Sequence, residues 1–105
     1  MHPYALLGLA IVAEVVGTSA LKLADGFTKL VPSLVVVVGY GLSFWLLAVT
    51  LKTLPIGFVY AVWAGAGVAA IALIGVFWFG ESLSLSGVAG IALIIAGVVV
   101  LQLSH

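Results

Sequence analysis

The chain has 105 residues, 66% of them hydrophobic and 6% charged, with a formal net charge of zero. A soluble domain carries about 25% charged residues, so a mean hydropathy of +1.50 excludes a water-soluble globule and points to an integral membrane protein. The absence of cysteine excludes a disulfide framework and a thiolate metal site, and no basic stripe suggests nucleic acid.

Four apolar runs, at residues 4–21, 33–51, 57–79 and 87–103, are separated by short connections. Each is near the ~20 residues that a membrane-crossing helix needs. Strands of a barrel would be about 10 residues long with alternating polarity, and the run Val35–Val38 shows no alternation. The expected fold is all-α: one four-helix transmembrane domain covering residues 1–105. No basic segment precedes Tyr4, so the first run is expected to remain as a span. Pro3, Pro32 and Pro55 each fall just before a span, where a missing N–H removes no bond. Ser84 or Ser86 can cap the fourth, and Asp25-Gly26 predicts a turn after the first. His2 and His105 read as solvated termini.

The first span carries the most informative residue, Glu14, its one acid. A carboxylate at mid-span costs about 2.5–3.5 kcal/mol on insertion scales, so it marks a proton site, a cation site, or both. Three-and-four spacing puts Leu7, Ala10, Ile11, Glu14, Gly17, Thr18 and Leu21 on one helix face. The alternative is a protonated structural Glu bonded to a neighbouring helix. Lys22, at the end of this span, reads as a snorkelling side chain that complements the helix dipole. Asp25, Lys29, Lys52 and Glu81 read as solvated loop charges.

The second span groups Tyr40, Ser43, Phe44 and Leu47, and the third groups Tyr60, Trp63 and Gly67. Aromatic faces attract cations by about 0.5–2 kcal/mol each, so an acid among such rings describes a site for a bulky lipophilic cation. Trp45 and Trp78 read as interfacial anchors. Gly65 and Gly67 permit a bend in the third span, with close helix packing as the plain alternative. In the fourth span Gly87, Gly90, Ile94, Gly97 and Leu101 form a stripe; Gly90, Ile94 and Gly97 are expected at a dimer contact. Neither a nucleotide-binding motif, a metal cluster nor a catalytic triad is present, so no enzyme activity and no cofactor is expected.

Counting along four spans, Lys22 and Lys29 lie on one side of the membrane and Lys52 on the other. Lysine bias sets orientation. So small an imbalance predicts insertion both ways round, and with it an antiparallel dimer of two identical chains.

These residues resemble the small multidrug resistance family, on its branch of proton-coupled quaternary-cation exporters. The resemblance covers nearly the whole chain. Its carriers are Pro3-Tyr4, Ala13-Glu14-Val15, Gly17-Thr18, Lys22, Gly26-Phe27-Thr28, Pro32-Ser33, Tyr40, Ser43-Phe44-Trp45, Pro55, Gly57, Tyr60-Ala61, Trp63, Gly65, Gly67, Gly80, Gly90 and Gly97. It implies an antiparallel homodimer in the bacterial inner membrane, with protons as the coupling ion and lipophilic organic cations and lipid as partners. It implies that Glu14 binds protons or substrate in turn, that Tyr40, Tyr60 and Trp63 line the site, and that Gly90 and Gly97 pack the dimer. A sister branch exports guanidinium and carries Gly three residues before the acid and Trp three after. Ile11 and Gly17 stand there in this chain and favour the multidrug branch. Ala64 replaces a commonly hydroxylated position, and Glu81-Ser82 replaces a loop that often carries a basic residue. A rotary-ATPase proteolipid, a lipid-carrier flippase and a membrane scaffold are the remaining alternatives. None of these calls for four spans with Glu14 and aromatics on convergent faces.

Overall fold

The computed structural model describes residues 2–104. They form four helices: α1 (Pro3–Leu23), α2 (Leu30–Thr50), α3 (Ile56–Phe77) and α4 (Leu85–Ser104). All four are long and apolar enough to cross a membrane, as the run lengths require. His105 lies outside the described residues.

Helix ends follow from local chemistry and shift the expected limits by a few residues. Pro3 begins α1, and His2 is its cap: the Tyr4 N–H donates to His2 Nδ1 at 3.2 Å, with the two rings stacked. His2 is therefore exposed but not merely a solvated end. α2 starts at Leu30 with Pro32 inside its first turn, where the N–H groups have no intrahelical partner to lose. Pro55 caps α3. Ser84 caps α4 by accepting the Gly87 N–H at 3.1 Å. α3 stops at Phe77, two residues before its expected end, because the chain reverses through Gly80 at φ +67°. The Phe79 and Glu81 N–H groups fold back onto the Ile74 and Gly75 carbonyls.

The turn after α1 has three successive residues at positive φ, Asp25 (50°), Gly26 (67°) and Phe27 (65°). Only Gly26 adopts this without steric cost. Thr28 holds the other two in place: its hydroxyl donates to the Asp25 carbonyl at 2.7 Å and its N–H to the Ala24 carbonyl at 3.0 Å.

α1 packs against both α2 and α3, and α4 packs against α3. The helices thus line up in the order α2, α1, α3, α4, in a slab of 41 × 35 × 17 Å. The α1–α2 seam is made of small residues. Ala10, Ala13, Gly17 and Ala20 are buried on α1, facing Val36, Gly39, Ser43, Leu46 and Thr50 of α2. A Cβ on Gly39 would sit 3.0 Å from both the Ala13 carbonyl oxygen and the Gly17 Cα. The two backbones therefore cross in contact, as small residues permit in a membrane. Leu7 joins Phe58, Val59 and Val62 in a buried cluster between α1 and α3. α4 buries no residue among those described. It meets α3 where Val98 and Ile94 fill the space left by Gly65.

Candidate cation site

α1 carries two adjacent stripes. One, Ala10–Ala13–Gly17–Ala20, is consumed by α2. The other, Ile11, Glu14, Thr18 and Lys22, is rotated toward α3. Between α1 and α3 lies a cavity of about 480 Å³, lined by Glu14, Thr18, Trp63, Gly67, Val68 and Ile71 among others. That volume lies in the range of small-ligand sites, about 300–1,000 Å³. Two further grooves, one beside Leu23, Pro32 and Trp78 and one beside Val12, Leu34 and Leu42, hold no ionisable side chain.

The Glu14 carboxylate has two unlike oxygens. Oε1 accepts from the Thr18 hydroxyl at 2.8 Å. The Thr18 oxygen is also 2.6 Å from the Tyr40 hydroxyl. Thr18 has one hydroxyl hydrogen, so while it donates to Glu14, Tyr40 must donate to Thr18. Oε2 is buried and finds no hydrogen-bond partner among the described residues. It rests over Gly67, where a Cβ would lie 2.8 Å from it. An unpaired buried carboxylate oxygen is costly by several kcal/mol.

Of the aromatic residues expected at the site, Trp63 lines this cavity, whereas Tyr40, Phe44 and Tyr60 do not. The Trp63 ring is 5.8 Å from that of Tyr60 and 6.1 Å from that of Phe44. Tyr60 and Phe44 are 63% and 58% exposed in the single chain and meet the cavity only through their contact with Trp63. Trp63 Nε1 is a second buried polar atom without a partner among the described residues.

Not every residue on the sequence-based list reaches this cavity. Ser43 is fully buried and donates to the Ala10 carbonyl at 2.8 Å, tying α2 to α1. Ala10 and Gly17 are in the same seam, and Gly17 packs on the Tyr40 ring. Leu7 is in the α1–α3 core with Ile11 against it, and Leu21 is exposed. Three-and-four spacing assigns a face but not the neighbour that face meets, and the neighbour is what separates seam from cavity. Gly65 and Gly67 lie within an unbroken α3, the first facing α4 and the second facing Glu14. Ile94 points to Gly65 of its own chain, while Gly90 and Gly97 face open space within this chain. Gly39, which no motif singled out, is the closest backbone contact of the fold. Its signal lay in the three-and-four spacing of Val36, Gly39, Ser43, Leu46 and Thr50.

Glu81, read from sequence as a solvated loop charge, and Lys22, read as a snorkelling side chain, form an ion pair. Lys22 Nζ donates to Glu81 Oε2 and lies 5.0 Å from the centre of the Phe79 ring. Among the described residues no cluster of metal-ligating side chains is present.

A family profile described as Small Multidrug Resistance protein matches residues 2–94. The chain is 50% identical to the quaternary ammonium compound-resistance protein QacE of Escherichia coli over 103 residues, 98% of this chain and 94% of QacE. It is 47% identical to the multidrug transporter EmrE of Escherichia coli K12, with the same coverage. A Salmonella typhimurium protein whose name refers to ethidium bromide resistance is 49% identical over 96 residues, 91% of this chain and 84% of its own length. The chain belongs to the small multidrug resistance family and is a multi-pass protein of the bacterial inner membrane.

Proposed function

We propose that the chain exports lipophilic, aromatic or quaternary ammonium cations in exchange for protons, with Glu14 holding one or the other. The observation that carries this reading is the unpartnered, buried Oε2 of Glu14 facing a cavity of about 480 Å³. The names of QacE and EmrE agree with such a cargo. Thr18, itself held by the Tyr40 hydroxyl, occupies Oε1 and fixes the carboxyl group, so exchange takes place at Oε2. A permanent cation is attracted to the carboxylate and to the faces of Trp63, Tyr60 and Phe44. A proton on Oε2 removes the charge and releases the cation. Because one oxygen serves both, occupancy is mutually exclusive, and opening alternately to each side couples the two gradients. Bending of α3 at Gly65 and Gly67 is the motion assigned to that switch. The proton is the coupling ion, and no cofactor enters.

The working unit is an antiparallel homodimer. A slab 17 Å thick leaves the cavity open at its side, and a second copy would close it. Gly90 and Gly97, with nothing within 4 Å in their own chain, supply a flat surface for that contact. Lys22 and Lys29 against Lys52 is a bias weak enough for both insertions.

Inverted membrane vesicles test the transport reading. An imposed proton gradient drives ethidium uptake by the unaltered protein, and Glu14→Gln abolishes it while the variant still inserts. Gradient-driven uptake by the variant would contradict the assignment. Guanidinium uptake without uptake of any quaternary ammonium would move the chain to the sister branch.

A further inference from the structure

The stripe that carries Glu14 does not end at Thr18. One turn further, on the same face of α1, Lys22 reaches across to the α3–α4 loop and pairs with Glu81. On α3 the matching row runs Gly67, Ile71, Gly75, of which the first two line the cavity. Gly75 is the seat of Glu81: its carbonyl accepts the Glu81 N–H at 2.9 Å, and the carboxylate lies directly over its Cα. A Cβ on Gly75 would collide with Glu81 Oε1. The pair therefore bridges α1 and the end of α3 one helical turn beyond the cavity, with the Phe79 ring against the ammonium.

We propose that Lys22 and Glu81, seated on Gly75, form a latch that shuts the end of the Glu14 cavity and breaks whenever that end opens. The inference rests on the alternating-access reading above. In an antiparallel dimer the two latches lie at opposite membrane faces. The shut face has its latch closed and the open face has its latch broken. Each resting state then holds one latch, and switching requires that latch to break before the opposite one forms. Side chains 53% and 52% exposed make a weak pair, worth up to about fivefold in an equilibrium constant. A weak pair is what a contact made and broken in every cycle requires. Neither Lys22 nor Glu81 lines the cavity, so the latch acts on the rate of switching and not on affinity.

The test measures two quantities on the dimer in lipid bicelles: ethidium affinity by fluorescence, and the exchange rate between the two states by NMR. Glu81→Gln is expected to raise the exchange rate about three- to fivefold and to leave ethidium affinity unchanged. Gly75→Ala, which keeps both charges but evicts the carboxylate, is expected to do the same. Raising salt should speed exchange in the unaltered protein and not in Glu81→Gln. The reversed pair, Lys22→Glu with Glu81→Lys, should restore slow exchange that either single change loses. An exchange rate in Glu81→Gln equal to that of the unaltered protein would overturn the latch, as would a reversed pair no slower than its singles. Loss of ethidium affinity at unchanged exchange would overturn it too, by placing Glu81 in the binding site. Absence of Glu14-dependent ethidium binding in the unaltered protein would count against the transport reading instead. Exchange in the unliganded dimer would then still decide the latch.

Discussion

Glu14 matters because its two oxygens are treated differently. Thr18 occupies one, and the other is buried over Gly67 without a partner among the described residues. In the proposed reading, charge alone would not make a selective site, and the Trp63 ring lining the same cavity would supply a preference for flat, polarisable cations. Trp63→Ala should therefore weaken ethidium binding by about 0.5–2 kcal/mol, roughly 2- to 30-fold. Trp45, 62% exposed and away from the cavity, should tolerate the same change with little loss. Calorimetry at one pH compares the two, and equal losses would contradict the placement of Trp63. Glu14, Thr18 and Trp63 were legible in the sequence because a mid-span acid and its helical neighbours need no partner to be noticed. Ser43 was not. A serine beside Tyr40 and Phe44 looks like a site wall, and only the register of α2 on α1 shows its hydroxyl spent on the Ala10 carbonyl. Lys22 and Glu81 are 59 positions apart, and no local pattern links them.

At the scale of elements, the seam between α1 and α2 fixes where Glu14 points. Its tightest point is Gly39 against Ala13 and Gly17, where the neighbouring atoms are backbone and cannot step aside. Gly39→Ala should cost about 1–3 kcal/mol by overpacking, seen as a lower thermal midpoint in detergent. Gly41→Ala, two residues further on, where an added Cβ meets nothing within 4 Å, should not. Equal midpoints would mean that the seam is looser than its geometry. The four helices themselves were readable from run length and from the prolines. The start of α4 was readable from Ser84 as well, but the end of α3 was not, because the reversal at Gly80 sets it. The small residues of α1 were legible as a close-approach surface, but the sequence does not say whether a helix or a ligand approaches.

For the whole molecule, the proposed second copy would cover a thin slab whose fourth helix buries no residue among those described. If both orientations occur, a single cysteine introduced at Thr53 should be labelled from both sides of intact cells; the chain has no native cysteine to confuse the result. Labelling from one side only would rule out the antiparallel homodimer. The central claim is that proton and cation compete for one carboxyl group, and ethidium affinity as a function of pH tests it most directly. Protonation removes the charge that holds the cation. Affinity should therefore fall about tenfold per pH unit for each proton displaced, over the range in which Glu14 takes up its proton, and level off above that range. Glu14→Gln should abolish this dependence together with most of the binding. An affinity for the unaltered protein that does not change with pH would contradict the account.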